Sequence, residues 1–164
     1  YVPDWHKYES FYDLYACQKK LGGGVITTEC HELNTLLDLF GFPEKVYSST
    51  NRRGEFDISA EDSSSILMKY KNFCITVNLC FMQKMQERNF TIIGTDGYIK
   101  LDLVNQSIHY KTLNNKEIIL EDIWSNDDFF KKQLLYYLNE FPLNSKLFTI
   151  RLLNLTRLFD ELIE

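Results

Sequence analysis

The run Gly22-Gly23-Gly24-Val25-Ile26-Thr27-Thr28-Glu29-Cys30-His31-Glu32-Leu33 sets a histidine, two threonines and a thiol directly behind three consecutive glycines. Glycine lets backbone approach a ligand closely and adopt conformations closed to other residues. A neutral imidazole at the edge of a cleft is suited to accept a proton from a substrate hydroxyl. Cys30 offers a nucleophile beside the ring, and Trp5 and His6 offer an aromatic face and a second imidazole, the pair that would stack on and bond a sugar. Trp5 and His6 fit domain-junction packing equally well. His31 taken alone reads as a solvated surface side chain, and Cys30 leans toward the core side of its helix.

Those residues need elements to hold them. Stepping about 100° per residue around a helix from Leu33 gathers Leu36, Leu37 and Phe40 on one face. His31, Thr27, Thr28, Asn34, Thr35 and Asp38 fall on the other. A core-facing helix that presents polar groups outward therefore follows the glycines, and Gly41 and Pro43 end it. Before it, Tyr8, Phe11, Tyr12 and Tyr15 recur at helical spacing and predict an amphipathic helix stopped by Gly22.

The middle of the chain alternates with period two. Phe73, Ile75, Val77, Leu79 and Phe81 predict one face of a long strand, and Cys74, Cys80 and Met82 on its second face point to a covered surface. Strands are expected over 44–50, 65–70, 89–95, 98–103, 107–113 and 117–120. Turns fall at Lys71-Asn72, Asp96-Gly97 and Asn114-Asn115. Two amphipathic helices follow, one through Phe130, Leu134, Tyr137, Leu138 and Phe141 before Pro142, the last through Leu152, Leu155, Phe159 and Leu162. The expected fold class is α+β: an open, mostly antiparallel sheet of about six strands, helices packed on one face and the other face a dimer interface.

Composition limits the function classes. At 164 residues the chain fits one domain. Its net charge is -5, and the basic pairs Lys19-Lys20, Arg52-Arg53 and Lys131-Lys132 are scattered, which argues against nucleic acid. No apolar run approaches the length of a membrane span. The four cysteines lack metal or disulfide spacing, so a reduced, cytoplasmic protein is expected, and the three histidines lack metal-ligand spacing, so no metal is expected. The triplets at Asn89, Asn105 and Asn154 read as chance matches to a glycosylation signal. His109 alternates within a strand and reads as structural. Arg52, Arg53 and Glu55 form a loop that either meets an acidic substrate or is solvated.

The glycine-to-histidine segment and its Leu-rich helix ending Leu39-Phe40-Gly41 resemble the C-terminal domain of the Gfo/Idh/MocA family, the glucose-fructose oxidoreductase and inositol dehydrogenase relatives. Tyr1-Val2-Pro3-Asp4-Trp5-His6 and the Gly94-Thr95-Asp96-Gly97 hairpin extend the resemblance over nearly the whole chain. It implies a substrate-binding and dimerisation domain, residues 1–164, whose N-terminal Rossmann domain, with the NAD or NADP site and the catalytic lysine, lies outside this chain. The implied activity is NAD(P)-dependent hydride transfer to or from a sugar, polyol or sugar-derived hydroxyl compound, in a homodimer or tetramer formed through the sheet face. The implied sites are His31 as acid/base and Thr27, Thr28, Trp5, His6, Gly23 and Gly24 at the substrate. This chain by itself would be inactive. It departs from the family where Thr27 and Thr28 stand at the places of a common aspartate, which leaves a non-catalytic sugar-binding or assembly module as the alternative.

Overall fold

The computed structural model describes all residues but 55, 115–116, 122–125, 141–144 and 164, and at 126, 129, 140, 145, 147, 148 and 163 the backbone only. Its elements, in chain order, are α1 (Val25–Thr28), α2 (Cys30–Phe40), β1 (Lys45–Asn51), β2 (Ser63–Lys69), β3 (Cys74–Cys80), β4 (Asn89–Gly94), β5 (Gly97–Asp102), β6 (Ser107–Thr112), β7 (Glu117–Leu120), α3 (Asn126–Glu140) and α4 (Ser145–Ile163). The fold class is the expected α+β. The described strands number seven rather than about six, and they divide into two antiparallel sheets, β1-β2-β3 and β4-β5-β6-β7. The chain forms two compact units, Tyr1–Lys84 with Ser145–Glu164, and Met85–Asn144.

In the first unit the strands pair in the register Ser49, Ser65, Asn78 and Thr50, Ser64, Leu79. Side chains alternate between sheet faces. Ser64, Ile66 and Met68 of β2 are buried while Ser65, Leu67 and Lys69 are exposed. The inner face is covered by α1, which packs on β2 and β3, and by α4, which packs on β1 and α2. Leu33, Leu36 and Leu37 of α2 and Leu158 and Leu162 of α4 join this core, as their spacing predicts for α2. On the expected second face of the long strand, Cys74 is exposed, Cys80 half-buried and Met82 buried.

The aromatic-rich start is not an α-helix. It forms short 3-10 turns at Phe11–Asp13, Tyr15–Cys17 and Lys19–Leu21. Extended conformations at Leu14 and Gln18 separate them. The buried side chains are Leu14, Ala16 and Cys17, and Tyr8, Tyr12 and Tyr15 are exposed. A recurrence of three residues suits a 3-10 turn as well as an α-helix. The Gln18 side chain donates to the Tyr12 and Asp13 carbonyls (3.4 and 3.0 Å), which the broken helix leaves open.

One buried carboxylate ties the unit together. Asp62 is fully buried; its backbone N–H donates to Asn51 O (3.1 Å), its carbonyl accepts from Phe81 N–H (2.8 Å), and its Oδ2 accepts from Arg53 N–H (2.8 Å). Residue 61 continues the seam, with Glu61 O accepting from Val25 N–H at 3.1 Å.

In the second unit, hairpin β4–β5 turns through Thr95-Asp96, with Gly94 opposite Gly97 closing it one residue earlier than expected. Gly97 has a φ of 154°, and a Cβ there would strike the Lys111 backbone, so glycine is required. The turn after β5 is held by Asp102, whose Oδ1 accepts from Val104 and Asn105 N–H at 3.0 and 2.9 Å. The Asn105 backbone and side-chain bonds hold its carboxyl below the usual range. The register sets Ile92, Ile99, Tyr110 and Ile118 in one row and Phe90, Leu101, Ile108 and Leu120 in the next, all on one face. The opposite face is mixed, carrying Lys100, His109, Lys111 and Glu117 together with Tyr98 and exposed Ile93 and Ile119. His109 lies 2.5 Å from Glu117 Oε1 and edge-on to Tyr98, the structural role expected of it. Helix α3 forms as predicted, but Phe130, Leu134, Tyr137 and Leu138 are exposed. Phe141, Pro142, Glu55 and Asn115 lie outside the described residues.

Truncating Leu158, fully buried on α4 within the first unit, is predicted to cost about 2–5 kcal/mol as Leu158→Ala. Urea unfolding checks this; a loss under about 1 kcal/mol would mean α4 is not part of that core.

Candidate functional site

The glycine triplet folds as a tight crossing. Gly22 closes the Lys19–Leu21 turn in the left-handed region (φ 80°). Gly23 passes so close beneath Tyr15 and Ala16 that a Cβ would strike both carbonyl oxygens. Gly24, at φ 137°, caps α1 against the Glu61 carboxylate. Each glycine does a different job, and only the absence of a side chain permits the second.

This crossing forms one wall of a cavity of about 470 Å³. The other walls come from the end of β1 (Thr50, Asn51, Arg52), the segment Ser59-Ala60-Glu61, and Leu162 of α4. Ile26, Ala60 and Leu162 make an apolar floor; Lys19, Thr27, Arg52 and Glu61 supply polar groups. The volume suits a small organic ligand. The Thr27 hydroxyl reaches Gly22 O (2.9 Å) and Gly24 O (3.2 Å) as a donor. Its proton is therefore committed, and its lone pairs remain to accept from a ligand hydroxyl.

The predicted residues divide between this cavity and other places. Gly23 and Thr27 line it, and Gly24 lies next to them in the chain. Thr28 is half-buried, with a hydroxyl shut off from solvent and lacking a hydrogen-bond partner among the described residues. His31 sits in the first turn of α2, exposed, and does not line the cavity; its carbonyl accepts from Thr35 Oγ1 at 2.8 Å. Trp5 packs edge-on against Phe81, with centroids 5.3 Å apart. His6 stacks on Tyr8 and bonds Glu9 at 2.5 Å. Those contacts are the packing role for Trp5 and His6, and neither reaches the cavity.

Lys19, Ser59, Glu61 and Leu162 were not anticipated at the site. A polar run at the end of a strand, Thr50-Asn51-Arg52, was the one local signal. Arg52 and Arg53 enter different cavities: Arg52 the one above, Arg53 a second, of about 440 Å³, on the outer sheet face with Ser49, Ser65 and Asn78.

A dinucleotide does not fit the glycine segment. It follows a 3-10 turn rather than a strand. The amides of Gly22, Gly23 and Val25 already donate to Lys19, Gln18 and Glu61 carbonyls, so they are not offered to a pyrophosphate as such loops require. Among the described residues no group of three potential ligands could hold a metal, and no helix is long and apolar enough to cross a membrane. The four cysteines are free.

Residues 4–100 match the family model of the GFO/IDH/MocA C-terminal domain. No curated protein sequence matches the chain. Among solved structures, the chain is similar to an oxidoreductase from Agrobacterium radiobacter in complex with NAD+, L-tartaric acid and magnesium, at 20% identity and a TM-score of 0.50 over 60% of this chain and 31% of that one. It is similar to the UDP-N-acetylglucosamine 3-dehydrogenase from Acidithiobacillus ferrooxidans, at 18% and 0.50 over 59% and 31%. It is similar also to an oxidoreductase from Pseudomonas syringae, at 15% and 0.52 over 62% and 30%. At these identities the likeness is one of fold, and it spans about a third of each of those chains.

Two outcomes follow for the site. Gly23→Ala should lower stability by about 1–3 kcal/mol through overpacking against fixed carbonyls, read by chemical unfolding; an unchanged midpoint would show that the crossing is loose. The Cys30 thiol is pushed up by burial, and further by Glu32 and Glu29, and burial raises Cys17. Less thiolate forms at neutral pH. Iodoacetamide should alkylate exposed Cys74 first, with Cys30 and Cys17 lagging and gaining on it as pH rises, followed by peptide mass spectrometry. Early labelling of Cys30 would contradict this.

Proposed function

Because this chain belongs to the GFO/IDH/MocA family as a C-terminal domain, we propose that it is the substrate-binding and dimerisation domain of an NAD(P)-dependent oxidoreductase acting on a sugar, polyol or sugar-derived hydroxyl compound. The observation that carries the reading is the glycine crossing, which brings Gly23 and Thr27 onto a ligand-sized cavity one short helix before His31. The relative bound to NAD+ and the relative that is a UDP-sugar dehydrogenase support the cofactor class and the substrate class.

In this reading NAD or NADP is held by a Rossmann domain outside these residues, since the glycine segment is no dinucleotide cradle. Thr27 accepts a hydrogen bond from a ligand hydroxyl, Thr28, whose own hydroxyl is shut off from solvent, shapes the wall behind it, and His31 takes the proton of the hydroxyl that reacts. Gly23 and Gly24 keep the wall thin enough for close approach. Of Trp5 and His6, offered from the sequence as pocket residues, Trp5 would serve by bracing the Phe81 end of the core and His6 stays with Tyr8 and Glu9. Dimerisation uses a sheet face. The row of Ile92, Ile99, Tyr110 and Ile118 supports this, because a half-exposed apolar face calls for cover. A reduced, cytoplasmic setting agrees with four free cysteines. A non-catalytic sugar-binding or assembly module is the second reading, favoured by the position of His31 off the cavity.

His31→Ala in the longer protein separates them. An enzyme should lose kcat/KM by about a hundredfold or more, followed by nicotinamide absorbance, with its oligomeric state unchanged. The module reading predicts no measurable loss of ligand binding or assembly. The 164-residue chain by itself should show no NAD(P)-dependent turnover, and detectable turnover would refute the division of labour.

A further inference from the structure

The cavity behind the glycine crossing has a charge pattern at odds with the chain around it. The chain carries a net charge of -5, yet two cations, Lys19 and Arg52, line this one cavity, with Glu61 as the only acid among its described lining residues. Neither cation forms an ion pair among the described residues. Arg52 is also held in place: its Nη1 donates to Ile58 O at 3.3 Å, which leaves the remaining guanidinium donors for another acceptor. Lys19 is fixed at the backbone, where its N–H donates to Ser59 Oγ at 3.0 Å on the opposite wall.

Arg53, one residue on, enters the outer-face cavity, and its N–H is pinned by buried Asp62. The two arginines, both exposed, thus line different cavities. Two cations over an apolar floor of Ile26, Ala60 and Leu162 match a ligand with an acidic group at one end and a less polar body.

We propose that Lys19 and Arg52 form an anion subsite in this cavity, so that the ligand of this domain carries a carboxylate or phosphate on a small, ring-sized body. The inference rests on the reading of this cavity as the substrate's, and it narrows the substrate class from sugars and polyols to their acidic derivatives. Arg52 supplies a planar fork suited to two oxygens, and Lys19 a point charge. Thr27 then accepts from a hydroxyl further along the ligand.

The test is calorimetric titration of the protein with three probes of one ring size: D-glucose, D-glucuronate and D-glucose 6-phosphate. At least one acidic probe should bind about tenfold or more tightly than glucose, and its affinity should fall as salt rises. Arg52→Gln should weaken that probe by about tenfold and leave glucose unchanged. Lys19→Gln, whose native side chain makes no bond among the described residues, should do the same in smaller measure and guards against a folding defect in the first variant. The preferred acidic probe tells carboxylate from phosphate. Equal affinity for all three, no binding of either acidic probe at millimolar concentration, or indifference to both substitutions would overturn the subsite. These readings need no cofactor. Acid binding through Arg52 without hydride transfer in the longer protein would sink the dehydrogenase reading and leave the subsite. Turnover of neutral sugars with a silent Arg52→Gln would do the reverse.

Discussion

Four stretches of chain meet at Glu61 and Asp62. The end of β1 arrives through Asn51 O, the chain just past β3 through Phe81 N–H, the loop after β1 through Arg53 N–H, and α1 through Val25 N–H on Glu61 O. Asp62 is fully buried, so these bonds form where water cannot compete, and breaking one would strand a polar group in the core. The N-terminus joins the same seam, since Val2 N–H donates to Phe81 O at 3.0 Å. The inner and outer sheet faces, and with them the two cavities, diverge from this point.

The glycine crossing depends on that seam. Val25 can be tied to Glu61 only if the chain passes beneath Tyr15 and Ala16, and only a residue without a side chain passes there. The crossing in turn fixes where α1 begins, which fixes Thr27 on the cavity wall. The cavity wall and the core are thus one mechanical object. The last helix completes it from the far end of the chain: Leu162 closes the floor, Ser48 Oγ donates to Leu162 O at 3.3 Å, and Arg151 pairs with Asp38 at 3.0 Å.

The second unit is built on a different rule. Its sheet sets an apolar face against a mixed one that bears Lys100, His109, Lys111 and Glu117 beside Ile93 and Ile119, and none of its described residues is fully enclosed. A sheet that buries nothing completely gains little from its own folding and is stabilised when its apolar face is covered. The first unit, by contrast, encloses a core of its own around the cavity.

Local periodicity determined much of this in advance. The period-two run through Phe73 to Met82 and the turn signals between the other strands placed the strands within a residue or two, and the face of α2 followed from Leu33, Leu36 and Leu37, because burial on one side of an element leaves a regular trace in sequence. The glycine triplet announced a close approach without saying to what. Spacing alone could not tell a 3-10 turn from an α-helix at Tyr8 to Tyr15, since three-residue recurrence serves both. Nor could it show that the strands divide into two sheets, a matter of pairing between distant segments. The cavity was least legible of all. Lys19, Arg52, Glu61 and Leu162 are brought together across the length of the chain by the Asp62 seam and the return of α4. The sequence marked Arg52 as part of a loop that either meets an acidic substrate or is solvated, but no local pattern records its meeting with Lys19, Glu61 and Leu162, which only the tertiary fold sets beside it.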